Sequence, residues 1–229
     1  MAGFPSLDKR LRRDEQGLHD YLWHGWKGDS EALLENVSRD AKELDAFLGA
    51  RGKLRRTAGA LAASVAREGK EGAGESLYEL LSHSYQLTAA TVHLGKGDAE
   101  GAAEHLEDVM GSVTIGVCSN AGCFEYVTEW ESKKVDFETY MGKLADFLQG
   151  KGVSRAGEWK RIVSAAYNLK RTFDPARPKE ERALLARAGV LAACWATLES
   201  VAIRTGLGSP PRFPPQDFGA VVRTIAARV

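Results

Sequence analysis

The chain has 229 residues, of which 44% are hydrophobic and 27% are charged. Thirty-one basic and thirty-one acidic residues give a formal net charge of zero, so the chain as a whole lacks the excess of Lys and Arg that nonspecific nucleic-acid binders use to neutralise phosphates. The apolar content excludes a disordered chain and is sufficient for one hydrophobic core, so we expect a single domain spanning residues 1–229.

The sequence also bears on the compartment. The N-terminal residues lack the apolar segment of a signal peptide. The longest uncharged run in the C-terminal half, residues 188–198, is far shorter than the ~20 residues that span a bilayer. Three cysteines, an odd number, do not suggest a disulfide framework. We therefore expect a cytoplasmic protein that has no membrane contact.

Helical spacing of apolar residues dominates the first half of the chain. Asp29 and Asp98 are placed as N-terminal caps of two of the predicted helices. The predicted helices cover residues 7–24, 33–48, 52–68, 73–95 and 99–110.

The segment between Gly111 and Trp130 is ambiguous. It begins with four β-branched residues, followed by a turn-like sequence at residues 119–122 and by aromatic residues that alternate with glutamates. This pattern allows a small β-hairpin near residues 112–130, although a helix also fits the apolar spacing. The flanking segments are strongly helical, and the sequence leaves both alternatives open.

The C-terminal half continues the helical pattern. A capped helix is predicted from Asp136 to Gly150, another follows around residues 159–169, and the longest, from Pro178 to Gly206, is apolar nearly all round and is expected to be central and buried. A proline-rich connector at residues 209–215 precedes a short C-terminal helix. We therefore predict an all-α single domain of about eight to ten helices in antiparallel pairs.

Two resemblances bear on function. Residues 86–110, with small residues around a Gly-Asp turn, resemble a tetratricopeptide-type helix pair, but no second copy follows at the required spacing. In size, helical class and Ala/Gly/Arg-rich composition, the whole chain resembles the all-helical immunity proteins of bacterial polymorphic toxin systems. That resemblance implies a non-enzymatic inhibitor with one protein partner, and it transfers no site residue.

A second function is suggested by Arg13 and His19, which are separated by five residues. This spacing resembles the Arg-x(4–6)-His motif of HEPN ribonucleases, in which the two residues cleave RNA at a dimer interface. Arginine can hold a phosphate and histidine can transfer a proton near neutral pH. The alternative is a surface arginine beside a half-buried histidine. Because the chain has no overall excess of basic residues, nucleic acid is the less favoured partner.

Other chemistry has weaker support in the sequence. Cys118 and Cys123 flank the turn-like segment and could form a reversible disulfide across it, although buried free cysteines are the commoner arrangement. His19 and His24 are five apart, a spacing expected to place them on different faces of an α-helix, so no metal site is predicted. Since the phosphate-binding and serine-nucleophile motifs are also missing, we expect no cofactor.

The aromatic residues near the end of the first helix are the best sequence indication of a binding surface. Tryptophan and tyrosine are enriched in interface hot spots, although such residues can instead close the end of a core. The oligomeric state is not indicated by the sequence. We predict a non-enzymatic protein-interaction module, most concretely an immunity-like inhibitor of a toxin or enzyme, with a HEPN-like ribonuclease as the alternative. The predicted partner-binding residues are Tyr21, Trp23 and Trp26.

Overall fold

The computed structural model describes residues 4–71, 73–133, 135–172 and 193–207, and within these ranges it contains helices and no strand. The predicted all-α class is therefore confirmed. A π-helical turn, Asp20–His24, continues the first helix, and residues 193–205 form a further helical segment. The remaining elements are α1 (Phe4–His19), α2 (Ser30–Leu48), α3 (Lys53–Glu68), α4 (Ala73–Gly95), α5 (Ala99–Ala121), α6 (Phe124–Ser132), α7 (Phe137–Gly142), α8 (Leu144–Gly150) and α9 (Ala156–Thr172).

The first four helices pack into one cluster, in which α2 contacts α1, α3 and α4. Local signals set the ends of α2. The side chain of Asp29 accepts hydrogen bonds from the backbone N–H groups of Glu31 and Ala32, and Gly49 ends the helix with φ 63°. Such capping satisfies backbone groups that a helix terminus leaves without partners. Helix α3 follows after a short connection and packs against α2, an arrangement typical of antiparallel neighbours.

Helix α4 lies at the centre of the described part of the chain, where it packs against α1, α2, α3 and α5. It is joined to α5 by a tight turn in which Gly97 has φ 73° and Asp98 accepts a hydrogen bond from the N–H of Gly101 at 2.8 Å. This is the helix pair that the sequence predicts around residues 86–110. Helix α5 in turn packs against α6 and α9, so α5 connects the N-terminal cluster to the rest of the described chain.

The β-hairpin considered near residues 112–130 is wrong. Val113 and Val117 are four residues apart and both fully buried, because they lie on one face of α5 rather than on one side of a strand. The turn-like segment is the C-terminal cap of this helix, in which Gly122 has φ 69°. The N–H of Cys123 donates to the carbonyl of Cys118 at 3.1 Å, as in a Schellman motif. Tertiary packing outweighs the strand preference of the β-branched residues.

The helix predicted from Asp136 to Gly150 is divided into α7 and α8 at Lys143. The predicted cap is confirmed, since Asp136 accepts a hydrogen bond from the N–H of Thr139 at 2.8 Å. Two tyrosines connect this region to α6. The hydroxyl of Tyr126 donates to the carbonyl of Tyr140 at 2.7 Å, while the hydroxyl of Tyr140 donates to the carbonyl of Tyr126 at the same distance. The Tyr140 carbonyl also accepts from the N–H of Lys143 at 3.2 Å, an i+3 bond of the kind that tightens the end of a helix.

The described part of the longest predicted helix, residues 193–205, is largely buried and ends at Gly206, which has φ 68°. Residues 173–192, the proline-rich connector at 209–215 and the helix predicted after it lie outside the described residues. Within the described ranges, no helix combines the length and the apolar character needed to cross a bilayer.

Candidate functional site

The π-helical turn at the end of α1 brings four rings together. His19 lies 5.0 Å from Trp23, 4.9 Å from His24 and 5.7 Å from Tyr78, measured between ring centroids. Trp23 meets Tyr78 edge to face, at 5.1 Å and 89°, a favourable arrangement for two aromatic rings. Isolated π-helical turns are frequent at functional sites. We call His19, Trp23, His24 and Tyr78 the ring cluster.

The expectation that His19 and His24 lie on different faces is wrong. A π-helix pairs residue i with residue i+5, so the two imidazoles stand side by side instead of diverging as they would on an α-helix. Two histidines remain too few for a protein metal site of ordinary type. The described residues contain no group of three or more side chains that could hold a metal ion.

Of the three aromatic residues predicted to bind a partner, Trp23 alone is exposed, with 46% of its surface accessible. Tyr21 and Trp26 are partly buried and pack against the core. The ring of Trp26 is seated between two glycines, because a Cβ would lie 3.4 Å from the ring at Gly17 and 2.5 Å from it at Gly28. Tyr21 and Trp26 therefore belong to the end of the core, the alternative that the sequence left open.

The exposed side of α1 is basic. Lys9, Arg12, Arg13 and Gln16 are exposed at helical spacing on one side of α1, and the next exposed residues along the chain are Trp23 and His24 on the π-helical turn. Arg13 donates to Asp14 at 2.8 Å, and Asp14 is buried, so the guanidinium rather than the carboxylate is presented to solvent. We call this face the α1 stripe, consisting of Lys9, Arg12, Arg13, Gln16, Trp23 and His24.

Beneath the α1 stripe lies a buried carboxyl pair, Asp14 on α1 and Asp40 on α2. Arg10 donates to Asp40 at 2.7 Å and to Glu43 at 2.7 Å, joining the two helices. Burial raises the pKa of Asp40 to about 6, although Arg10 opposes this effect. One oxygen of each aspartate lacks a hydrogen-bond donor among the described residues, and the neighbouring Asp14 carboxyl, which can accept a hydrogen bond from protonated Asp40, also raises the pKa of Asp40. A proton held on Asp40 lets that side chain donate a hydrogen bond towards Asp14.

A shallow cleft of about 240 Å³ opens beside this pair, between α1 and the start of α2. Arg13 and Asp14 form one wall, and Asn36 lies opposite on α2. The indole nitrogen of Trp26, also in the wall, has no hydrogen-bond partner within the described chain. The cleft therefore presents hydrogen-bond donors of Arg13 and Trp26 and an acceptor of Asp14 next to the α1 stripe. Its volume is sufficient for one side chain of a partner.

The structure separates Arg13 from His19. Six steps of about 100° place the two side chains about 120° apart around the helix axis. Arg13 bonds to Asp14 and lines the cleft, whereas His19 packs into the ring cluster. The two residues share no partner in these contacts, and within one chain they do not form a catalytic pair.

Cys118 and Cys123 lie together at the cap of α5, with their sulfur atoms 3.1 Å apart. Both side chains are fully buried. Neither thiol is part of a disulfide bond, and the third cysteine, Cys194, is also a free thiol. The sequence placed the pair across a hairpin turn, and the structure brings them together by a helix cap instead.

Sequence reasoning missed a polar cluster where α4 and α5 meet the helical segment 193–205. Arg204 donates to Glu79 at 2.6 Å and to Asn120 at 2.5 Å. His83 lies 3.2 Å from Thr197, and burial lowers its pKa. No local pattern could have revealed this cluster, since its members come from three distant segments. Its hydrogen bonds connect the segment to the core.

We find no matching family model, no matching curated protein and no matching solved structure for this chain. We therefore infer the function from the geometry of the α1 stripe.

Proposed function

We propose that the protein is a non-enzymatic protein-interaction module, most concretely an immunity-like inhibitor that binds one toxin or enzyme and blocks it. The α1 stripe is its contact surface. The observation that supports this proposal is Trp23, a large ring that is nearly half exposed and yet braced by Tyr78 and His19.

A braced tryptophan suits the centre of an interface. Few interface residues supply most of the binding free energy, and tryptophan is the most enriched among them. Because Trp23 is held by neighbouring rings before binding, little rotamer freedom remains to be lost when a partner covers it. An inhibitor that acts by covering its target needs this kind of anchor and no catalytic group.

The charges of the stripe define the complementary surface. Lys9 and Arg13 are exposed, and the carboxylate partner of Arg13 is buried. Arg12 is also exposed, although it pairs at 3.3 Å with Asp8, which is partly exposed on the same helix. The partner is therefore expected to present acidic side chains around an apolar depression that receives Trp23. Opposite charges across an interface accelerate association and select the partner.

The test is a pull-down of the tagged full-length protein from a lysate of its own host, with Trp23→Ala and Phe124→Ala compared against the unmodified chain. Phe124 is a matched control, because its exposed fraction is 48% and that of Trp23 is 46%. We expect one stoichiometric protein that the unmodified chain and Phe124→Ala retain and that Trp23→Ala loses. The purified protein should then inhibit this partner in an activity assay.

Recovery of the chain alone would contradict the proposal, and so would equal retention of the partner by all three proteins. Recovery with RNA would favour the HEPN-like alternative. In that case, ribonuclease assays of Arg13→Ala and His19→Ala would decide whether those residues act across a dimer, as the HEPN resemblance implies.

A further inference from the structure

The cap of α5 places two thiols in contact. The sulfur atoms of Cys118 and Cys123 are 3.1 Å apart, and the Cys123 thiol also points towards the carbonyl of Cys118 at 3.5 Å. A disulfide bond is about 2.05 Å long, so the two sulfurs need to approach by only about 1 Å.

The backbone holds the pair in register. The N–H of Cys123 donates to the carbonyl of Cys118, and the N–H of Gly122 donates to the carbonyl of Ser119. These two hydrogen bonds close the chain back on itself, as in a Schellman cap, with Gly122 in the left-handed region at φ 69°. The two cysteines are therefore neighbours because of local geometry, independent of the α1 stripe.

We propose that Cys118 and Cys123 form a thiol-oxidation site that hydroperoxides convert to an intramolecular disulfide. In the first step, with hydrogen peroxide, one cysteine ionises, its thiolate attacks one peroxide oxygen, and the proton it released goes to the departing oxygen. A sulfur–oxygen bond forms, the oxygen–oxygen bond breaks, and a sulfenic acid and one water are produced. The second thiol then attacks the sulfenic sulfur, the sulfur–sulfur bond forms, and another water leaves. Two electrons pass from the two sulfurs to one molecule of hydrogen peroxide.

Burial makes the first step of this reaction slow. The second step needs a neighbouring thiol, so we expect the disulfide to form between Cys118 and Cys123. The neighbouring Cys118 and burial both raise the pKa of Cys123, which reduces the reactive thiolate. Cys194 is also buried, and burial raises its pKa to about 12. Cys194 therefore serves as an internal control with a similar environment, for which the described residues supply no thiol partner.

The experiment counts thiols after oxidation of the intact, reduced chain by hydrogen peroxide. The protein is quenched, denatured, alkylated with N-ethylmaleimide and digested with trypsin. Both Cys118 and Cys123 fall in the tryptic peptide 97–133, and Cys194 falls in 188–204. We expect alkylation to decrease from three labels to one. Peptide 97–133 should lose two hydrogens, 188–204 should keep its label, and dithiothreitol should restore all three.

The variants Cys118→Ser and Cys123→Ser should abolish the loss of two hydrogens, whereas Cys194→Ser should leave it unchanged. The proposal is overturned if the unmodified chain keeps three labels. It is also overturned if the cysteines in peptide 97–133 gain oxygen instead of losing hydrogen, or if the crosslink contains Cys194. The measurement on the unmodified chain is decisive even if a serine variant folds poorly.

Discussion

At the scale of single residues, Trp23 and Trp26 have opposite roles although they are three positions apart. Trp26 folds back into a slot between Gly17 and Gly28, whereas Trp23 projects beside Tyr78. The sequence shows both tryptophans and both glycines, but it contains no signal that assigns the slot to one ring. Tyr78, which braces Trp23, lies on a different helix. The exposure of an aromatic side chain is thus decided by contacts that a local pattern cannot reveal.

Substituting Gly28 by alanine should destabilise the protein. A Cβ at this position would lie 2.5 Å from the ring of Trp26, which is too close for any real contact. The ring must shift from its seat, and overpacking of this kind costs about 1–3 kcal/mol. Urea unfolding followed by tryptophan fluorescence measures the loss.

Gly59→Ala is the control for that substitution. Gly59 lies inside α3, and a Cβ there would meet no heavy atom of the described chain within 4 Å. Alanine is favoured over glycine in a helix interior by about 0.5–1 kcal/mol, so this variant should be more stable than the unmodified chain. If both alanine variants shift the urea midpoint in the same direction, the inference that the Trp26 ring packs tightly against Gly28 is wrong.

At the scale of helices, α1 and α2 are joined by charged groups in the middle of apolar faces. Asp14 lies between Leu11 and Leu18 on the buried face of α1. Asp40 lies on the buried face of α2, where Arg10 reaches it. An acidic residue at an apolar position of a helical pattern was therefore a signal that sequence reasoning could have used. Its partner could not be found in this way, because the pairing depends on how the two helices pack.

This carboxyl pair makes stability depend on pH in a defined direction. The pKa of Asp40 is raised from about 3.8 to about 6, so between these values the folded protein binds more protons than the unfolded chain. The contribution of Asp40 to the free energy of unfolding is then fully present below pH 3.8, and it is lost as the pH rises through 6. A shift of this size corresponds to up to roughly 3 kcal/mol.

The measurement is the urea unfolding free energy of the unmodified chain and of Asp40→Asn at pH 4, 5, 6 and 7. Asparagine keeps an acceptor for Arg10 and supplies a donor for Asp14, but it does not titrate. Relative to this variant, the unmodified chain should lose stability between pH 4 and pH 7. Glu199, whose burial raises its pKa to about 7, is present in both proteins, so the difference isolates Asp40. If the unfolding free energies of the two proteins change in parallel with pH, the raised pKa of Asp40 is contradicted.

The helices themselves were largely predictable, because their signals are local. Asp29, Asp98 and Asp136 cap helices as their positions indicate. Two elements were not predictable for the same physical reason. The π-helical turn after His19 and the interruption at Lys143 both lie at contacts with other helices that no local pattern indicates, namely the ring cluster and the exchange between Tyr126 and Tyr140.

At the scale of the whole molecule, α4 is the centre of the N-terminal cluster and also reaches the helical segment 193–205. Among the described elements, α4 packs against α1, α2, α3 and α5, and Glu79 on α4 also binds Arg204 on the segment 193–205. The exposed fractions of these two side chains are 13% and 25%, so this ion pair is much less hydrated than one on the surface. Removing one member of a buried pair leaves the other charge without compensation, which costs more than the pair itself contributes.

Arg204→Ala should therefore lower the unfolding free energy by about 2–4 kcal/mol. Lys133→Ala is the matched control, because it breaks an ion pair with Glu129 whose two side chains are both more than half exposed. Exposed pairs of this kind contribute about 0.3–0.5 kcal/mol.

Urea unfolding should be followed by far-ultraviolet circular dichroism and by tryptophan fluorescence. If residues 1–229 form the predicted single domain, the two signals change together, and Arg204→Ala moves both midpoints equally. Two separate transitions, with only one of them moved by the substitution, would show instead that the segment 193–205 belongs to a unit that unfolds independently of the α1 stripe.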